Sequence, residues 1–345
     1  MTPRKPTLHD VAAGAGVSVA AASFALRGKT GVSPDTRDRV LAVARDLGYS
    51  VNVPARSLRT ARSGAVGLSL PAGTTHLPYY TEFAFGVVDA ADRRGLSVIL
   101  LPHRDAADTS APSAFVDGYV IVDASVEDPG IRALLDSDRP VVSGEHVLGG
   151  AGRTEGSVAT DHRAALTRLL AHLADRGAAR IAAILPPDGT SWSRELAETY
   201  AEWTRAHGRE DLSRRVSFVP TADEIGRAVA ELLALPEVDA LVIAPSGSAA
   251  AALEAAVRAG RRVGDDLLVA ACVDEPAHAL LSPPVTSIDL AARELGSACL
   301  ELLVEVWDAD ESLETVRLAE PRLVVRASTA GPSPVREPPT APRNE

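Results

Sequence analysis

Cysteine is scarce in this chain, with only Cys272 and Cys299 in 345 residues. Both lie in apolar runs, V-A-A-C-V and S-A-C-L-E, without the spacing of a disulfide framework, a redox pair or a zinc site. They are expected to be buried, reduced core thiols. Long apolar runs are missing as well. No segment reaches transmembrane length, and the N-terminal M-T-P-R-K-P-T lacks the apolar core of a signal peptide. A cytoplasmic protein with no membrane partner is therefore expected. The eight histidines show no metal-ligand spacing, and no phosphate-loop word or nucleophile elbow is present. No metal, no cofactor and no enzymatic activity are expected. The tail from Ala330 is proline-rich and has no leucine heptads, so it is expected to be disordered and does not support a terminal coiled coil.

What is present divides into two parts. The chain is long enough for two or three domains, and 46% hydrophobic with 23% charged residues is ordinary for a globular protein. The net charge of −11 hides an asymmetry. Residues 1–62 hold ten Lys/Arg and four acids, a net +6, whereas the remainder carries −17. A basic head on an acidic body confines contact with phosphates to the head.

The head reads as short helices. Thr7 and Asp10 form a capping box that starts a helix at Leu8, with Leu8, Val11 and Ala12 on one apolar face. Gly14 and Gly16 are expected to break it. Ser18 caps a second helix to about Leu26, ended by Gly28. Ser33-Pro34 starts a third, with Val40, Leu41, Ala44 and Leu47 as its expected buried stripe and Gly48 closing it. Two helices joined by a tight glycine-containing turn, plus a third, make the helix-turn-helix pattern. The helix from Ser18 is then the recognition helix. Val19, Ala20 and Phe24 are placed toward base edges, where apolar contact with thymine methyls is the available chemistry. Ser18, Ser23 and Arg27 are placed on phosphate. Ala21 and Ala22 read as core or filler.

From Ser63 the pattern alternates between strands and helices. Apolar runs at 65–70, 97–101, 118–122 and 140–142 predict one set of buried strands, with a helix over 80–94. Runs at 180–185, 216–219, 240–244 and 267–273 predict a second set, with helices at about 161–176, 191–207, 222–235 and 247–259. The G-E-H triplet at 144–146 reads as a loop. Two βαβ series give two parallel-sheet lobes. The expected fold is thus an all-α helix-turn-helix DNA-binding domain followed by an α/β core of two parallel-sheet lobes.

The words T-L-H-D-V-A, A-G-V-S, V-S-P-D-T-R-D-R-V, L-G-Y and N-V-P-A-R-S-L-R-T, at their fixed spacing, resemble the lactose/galactose repressor (LacI/GalR) family. Weaker words continue the resemblance through nearly the whole chain. They include Pro78-Tyr79-Tyr80, Val158-x-x-Asp161, Pro283-Pro284-Val285-Thr286 and the late P-R-L-V-V-R-A-S-T. The resemblance implies a head over 1–50, a hinge helix and linker over 51–62, and a periplasmic-binding-protein-like core over 63–329. Lobe 1 would take about 63–158 and 288–317, lobe 2 about 159–286 and 318–329, with a tail at 330–345. It implies a transcriptional regulator, most often a repressor, that binds a pseudo-palindromic double-stranded DNA operator as a homodimer. The hinge helix, Pro54–Arg59 here, would open the minor groove with Leu58. Thr7, Asn52, Ala55, Arg56 and Arg59 are the further DNA-contacting positions. An exposed leucine among arginines suits a wedge between base steps.

The core should hold a small-molecule effector between its lobes, near Tyr79, Tyr80, Asp161, Trp192, Arg194, Ser246 and Asp274. Here the chain departs from the family. The usual cleft arginine falls on Leu196, with Arg194 displaced by two residues. The usual N-D pair is Pro245-Ser246, and of a D-D pair only Asp274 remains, after Val273. Sugar hydroxyls are held by bidentate carboxylates, amides and guanidinium groups, so these losses argue against a typical sugar. Two readings stay open: a different, less polar ligand, or repression without an effector. The alternative class is a transport-type solute-binding protein with the same core fold, which the basic helical head speaks against.

Overall fold

The computed structural model describes residues 6–26, 31–49, 62–102, 115–149, 154–235, 237–308 and 315–330. The hinge positions Asn52, Ala55, Arg56, Leu58 and Arg59, Arg27 in the head, and the tail beyond Ala330 lie outside the described residues. Contacts divide the chain after Gly64 into two compact units.

The first unit packs α1 (Leu8–Ala15), α2 (Val19–Leu26) and α3 (Pro34–Asp46) around Val11, Ala12, Ala15, Ala22, Ala25, Val40 and Ala44. Thr7 and Asp10 close the capping box that begins α1. Gly16, at φ +67°, ends the helix in the left-handed conformation. Gly14 does not break α1 but stays helical. A Cβ there would stand 2.8 Å from Val43 Cγ1, so the glycine lets α1 and α3 approach closely. The buried stripe of α3 is Val40 and Ala44 with half-buried Val43, an i, i+3, i+4 set. Leu41 and Leu47 are 37% and 41% exposed, contrary to expectation. Leu41 lies one residue, about 100°, around the helix from Val40; Leu47 is the C-cap, beyond the last turn.

The second unit has two lobes. Lobe 1 comprises β1 (Ala65–Ser69), α4 (Pro78–Arg94), β2 (Ser97–Leu100), β3 (Tyr119–Val122), α5 (Pro129–Leu135), β4 (Val141–Gly144) and β5 (Gly156–Thr160). Lobe 2 follows with α6 (His162–Asp175), β6 (Ile181–Leu185), α7 (Ser191–Ala206), β7 (Ser213–Arg215), α8 (Ala222–Leu233), β8 (Ala240–Ile243), α9 (Ala249–Arg258), β9 (Leu268–Ala271) and β10 (Thr286–Asp289). The chain returns to lobe 1 for α10 (Ala292–Asp308) and β11 (Thr315–Ala319), then ends in lobe 2 with β12 (Arg322–Val324). The lobe 1 sheet has the order β11-β5-β4-β3-β1-β2 and is parallel throughout. The lobe 2 sheet, β12-β10-β9-β8-β6-β7, is parallel except for antiparallel β12.

Three crossings join the lobes, after Thr160, after Asp289 and after Ala319. At each crossing the pairing of β5, β10 or β11 continues to the strand end before the chain leaves the sheet. The strand expected at 216–219 is instead β7 at 213–215, where the backbone of Ser213–Arg215 pairs with Ala183–Leu185. In lobe 1, α4 and α10 pack backbone to backbone. A Cβ on Gly86 would fall 1.9 Å from the Arg293 carbonyl oxygen, and one on Gly296 2.1 Å from that of Phe83. Cys272 and Cys299 are free and buried, and burial pushes the Cys272 thiol up to about 12.

Candidate functional site

The head presents one helix edge. α1 and α2 meet at 100°, the geometry of a helix-turn-helix. Ser18 Oγ accepts from Ala21 N at 3.1 Å and so starts α2. Ala22 and Ala25 face the core, as their spacing requires. Ala20 is exposed, and Phe24, one turn on, is 40% exposed on the same face. Val19 is half-buried and touches the core; Ser23 is half-buried. Arg39 Nε donates to the Ala15 carbonyl at 3.0 Å, tying α3 to the end of α1. Thr7 is exposed, with its hydroxyl and backbone N both donating to Asp10 Oδ2 at 2.7 Å.

Between the lobes of the second unit lies a small chamber. Tyr79, Tyr80, Asp123 and Glu145 line it from lobe 1; His162, Trp192, Phe218 and Ser246 line it from lobe 2. It sits beyond the C-terminal ends of the strands, where α/β sheets bind ligands. Asp123 directly follows β3 and Glu145 directly follows neighbouring β4; their φ values are +48° and +67°. Left-handed backbone is uncommon for such residues and concentrates at functional positions. Tyr80 Oη donates to Asp123 Oδ2 at 2.7 Å. Glu145 Oε2 accepts from Thr160 N at 3.1 Å and lies 3.0 Å from His162 Nε2, an ion pair that spans the two lobes.

Burial governs the protonation of this cluster. It pushes Asp123 up to about 7, reinforced by the Glu145 charge and opposed by the Tyr80 hydrogen bond and His162. For His162, burial opposes charging, but the adjacent Glu145 carboxylate outweighs it and raises the pKa. Four buried polar atoms of the lining residues have no hydrogen-bond partner: Asp123 Oδ1, Glu145 Oε1, His162 Nε2, whose contact with Glu145 is an ion pair, and Trp192 Nε1. A larger outer chamber shares Asp123 and Phe218 with the inner one.

Four of the expected effector residues, Tyr79, Tyr80, Trp192 and Ser246, line the inner chamber. Three do not. Asp161 caps α6, its Oδ1 accepting from Ala164 N at 2.8 Å, and is exposed. Arg194 is exposed because it lies two residues, about 200°, around α7 from Trp192. Asp274 is held by Arg326 at 2.7 and 3.0 Å and by the Ser287 hydroxyl. Burial opposes its ionisation, but His278, Arg326 and Ser287 hold its carboxyl well below the usual range. Ser246 serves partly as scaffold, since its Oγ and Gly247 N both donate to Glu275 Oε1 at 2.6 Å.

Asp123, Glu145 and His162 are the residues that sequence patterns missed; the G-E-H triplet is no idle loop. Composition held a signal for them. The chain contains no glutamine, asparagine only at 52 and 344, and lysine only at 5 and 29. Among the described residues no Lys, Arg, Asn or Gln lines either chamber. The polar work of the cleft therefore falls on carboxylates, hydroxyls, one imidazole and one indole.

A helix-turn-helix head followed by a two-lobed parallel-sheet core defines a DNA-binding regulator with a periplasmic-binding-protein-like body. Residues 7–52 match bacterial regulatory proteins of the lacI family, and residues 170–329 match the periplasmic binding protein-like domain. The HTH-type transcriptional regulator CelR of Thermobifida fusca is 32% identical over 94% of this chain and 98% of its own length. The ribose operon repressor of Halalkalibacterium halodurans is 27% identical over 94% and 97%. Among solved structures, a CelR–cellobiose complex matches with a TM-score of 0.70 at 28% identity, covering 94% of this chain and 99% of that one. A lac repressor dimer bound to operator and the anti-inducer ONPF matches in fold, with a TM-score of 0.78 at 22% identity and the same coverage. The chain belongs to the LacI family of bacterial transcriptional regulators. No single described helix is long and apolar enough to cross a membrane.

Proposed function

We propose that this regulator is a homodimeric repressor that holds a pseudo-palindromic operator through its two heads and has its DNA affinity set by a small molecule in the interlobe chamber. The observation that carries the reading is the exposed edge of α2. Ala20 and Phe24 stand out from a head of net charge +6, while the helix-turn-helix core behind them is closed. On this reading Val19, Ala20 and Phe24 meet base edges, Ser18, Ser23 and Arg27 meet phosphate, and Thr7 acts by fixing the start of α1. Asn52, Ala55, Arg56, Leu58 and Arg59 are assigned to the hinge contact on the family resemblance alone.

Two further observations support the finer claims. Edge strand β2 exposes Ile99 and Leu100, α4 exposes Phe85 and Val88, and Leu280 in lobe 2 is 86% exposed. Apolar surface in both lobes is what a self-complementary two-fold interface would cover. The chamber takes residues from both lobes, and the Glu145–His162 pair joins them. A ligand there acts on DNA only through its differential affinity for the two lobe arrangements. The relatives named above are transcriptional regulators, not enzymes.

The test is selection of DNA from a random pool by the purified full chain, with sedimentation of the free protein. Enrichment of a two-fold-symmetric site and a dimer are expected. Asymmetric enrichment or none, or a monomer that binds as tightly as the selected complex, would overturn the reading.

A further inference from the structure

The chemistry of the inner chamber is lopsided. Its charged lining groups are Asp123, Glu145 and His162, and the imidazole Nε2 lies 3.0 Å from Glu145 Oε2 as an ion pair. Asp123 Oδ1 and Glu145 Oε1 are buried acceptors without a donor. A buried acceptor left unpaired costs free energy, so a group supplying N–H donors is worth more here than at a wetted site. Trp192 Nε1 is an unpartnered donor, and His162 Nε2, the other lining nitrogen without a hydrogen bond, faces Glu145 as an ion pair. A sugar ring needs donors and acceptors in pairs, and no guanidinium, ammonium or carboxamide lines either chamber among the described residues. The walls are aromatic. Trp192 and Phe218 meet edge to face at 6.2 Å, and Tyr79 and Tyr80 do so at 5.1 Å. Aromatic faces attract a cation and accept a flat apolar body.

We propose that the effector is a small organic cation, an amine with an aromatic body, whose ammonium group is held between the Asp123 and Glu145 carboxylates. This rests on the reading of the chamber as the effector site. The body extends past Phe218 toward the outer chamber, with an acceptor on it facing Trp192 Nε1. The Tyr80–Asp123 hydrogen bond and the Thr160–Glu145 hydrogen bond fix the two carboxylates from behind and leave their other oxygens for the ligand.

The experiment measures binding of matched probes to the full chain by calorimetry at neutral pH, and affinity for the selected operator in the same solutions. The probes are tyramine against its alcohol tyrosol, 2-phenylethylamine against 2-phenylethanol, and cellobiose. The amines are expected to bind at least about tenfold more tightly than their alcohols, with cellobiose weaker still. Asp123→Asn should abolish the preference. Asparagine suits that position because it tolerates the positive φ. Glu145→Gln, isosteric at the second carboxylate, should reduce the preference and serves as the companion variant if the first fails to fold. Equal or tighter binding of an alcohol or of cellobiose, or no binding by either amine, overturns the proposal. If a neutral probe binds and changes operator affinity, the cleft reading survives and the cation falls. If an amine binds in an Asp123-dependent way and operator affinity is unchanged, the cation stands and the regulatory reading of the cleft falls.

Discussion

Asp123 should make the stability of the core depend on pH in a direction opposite to that of an ordinary surface acid. Its pKa rises from the usual 3.8 to about 7 on folding, first through burial and then through the Glu145 charge. Between roughly pH 4 and pH 7 the folded chain therefore retains a proton that the unfolded chain has released. The associated stability is fully present below about pH 4 and is lost as pH rises through 7. About three pKa units at about 1.4 kcal/mol each give a ceiling of about 4 kcal/mol. Tyr80, Glu145 and His162 face the carboxyl and are all retained in an Asp123→Asn variant, so the difference between the two proteins isolates Asp123 to first order. The assay is urea unfolding between pH 4.5 and 8.5, followed by tryptophan fluorescence. All three tryptophans, Trp192, Trp203 and Trp307, lie in the second unit, so the signal reports the core alone. The wild type should lose up to about 4 kcal/mol relative to the variant across that range. Stability curves that run parallel across it would refute the argument.

Other consequences follow from particular contacts. Gly86→Ala or Gly296→Ala should cost about 3 kcal/mol or more in core stability, because the added Cβ meets a backbone carbonyl rather than a movable side chain; calorimetric unfolding reads this. Phe24→Ala should weaken operator binding about tenfold or more and leave core unfolding unchanged, as separated by anisotropy on DNA and by tryptophan fluorescence. Leu280→Glu and Leu100→Asp should shift the protein toward monomer in sedimentation without lowering tryptophan-detected stability, since both side chains are exposed in the single chain.

The head was legible because its signals are local. A Thr7–Asp10 box and a Ser33-Pro34 start each fix a helix end within four residues, and the structure places those ends as expected. The errors there came from reading hydrophobicity as burial. Leu41 and Leu47 are as apolar as Val40, but helical geometry turns one outward and leaves the other past the last turn. In the core, the alternation of strand and helix gave the two lobes. The crossings could not be read to the residue, because a strand ends where its partner ends, which is a non-local fact. The cleft was harder still. Asp123 and Glu145 stand 22 residues apart, and only the adjacency of β3 and β4 brings the two strand ends together. Arg194 stood in for the family's cleft arginine at a displacement of two residues, yet the helix carries it to the exposed face, away from Trp192. The absence of glutamine and near absence of asparagine was the one compositional trace of an unusual pocket.

The most direct test of the account is the affinity of the full chain for its selected operator and for a scrambled duplex across a salt series. The basic head predicts a steep fall of affinity with salt for both, and readout by the α2 edge predicts an operator preference of about a thousandfold or more at physiological salt. Equal affinity for the two duplexes, or binding indifferent to salt, would contradict it.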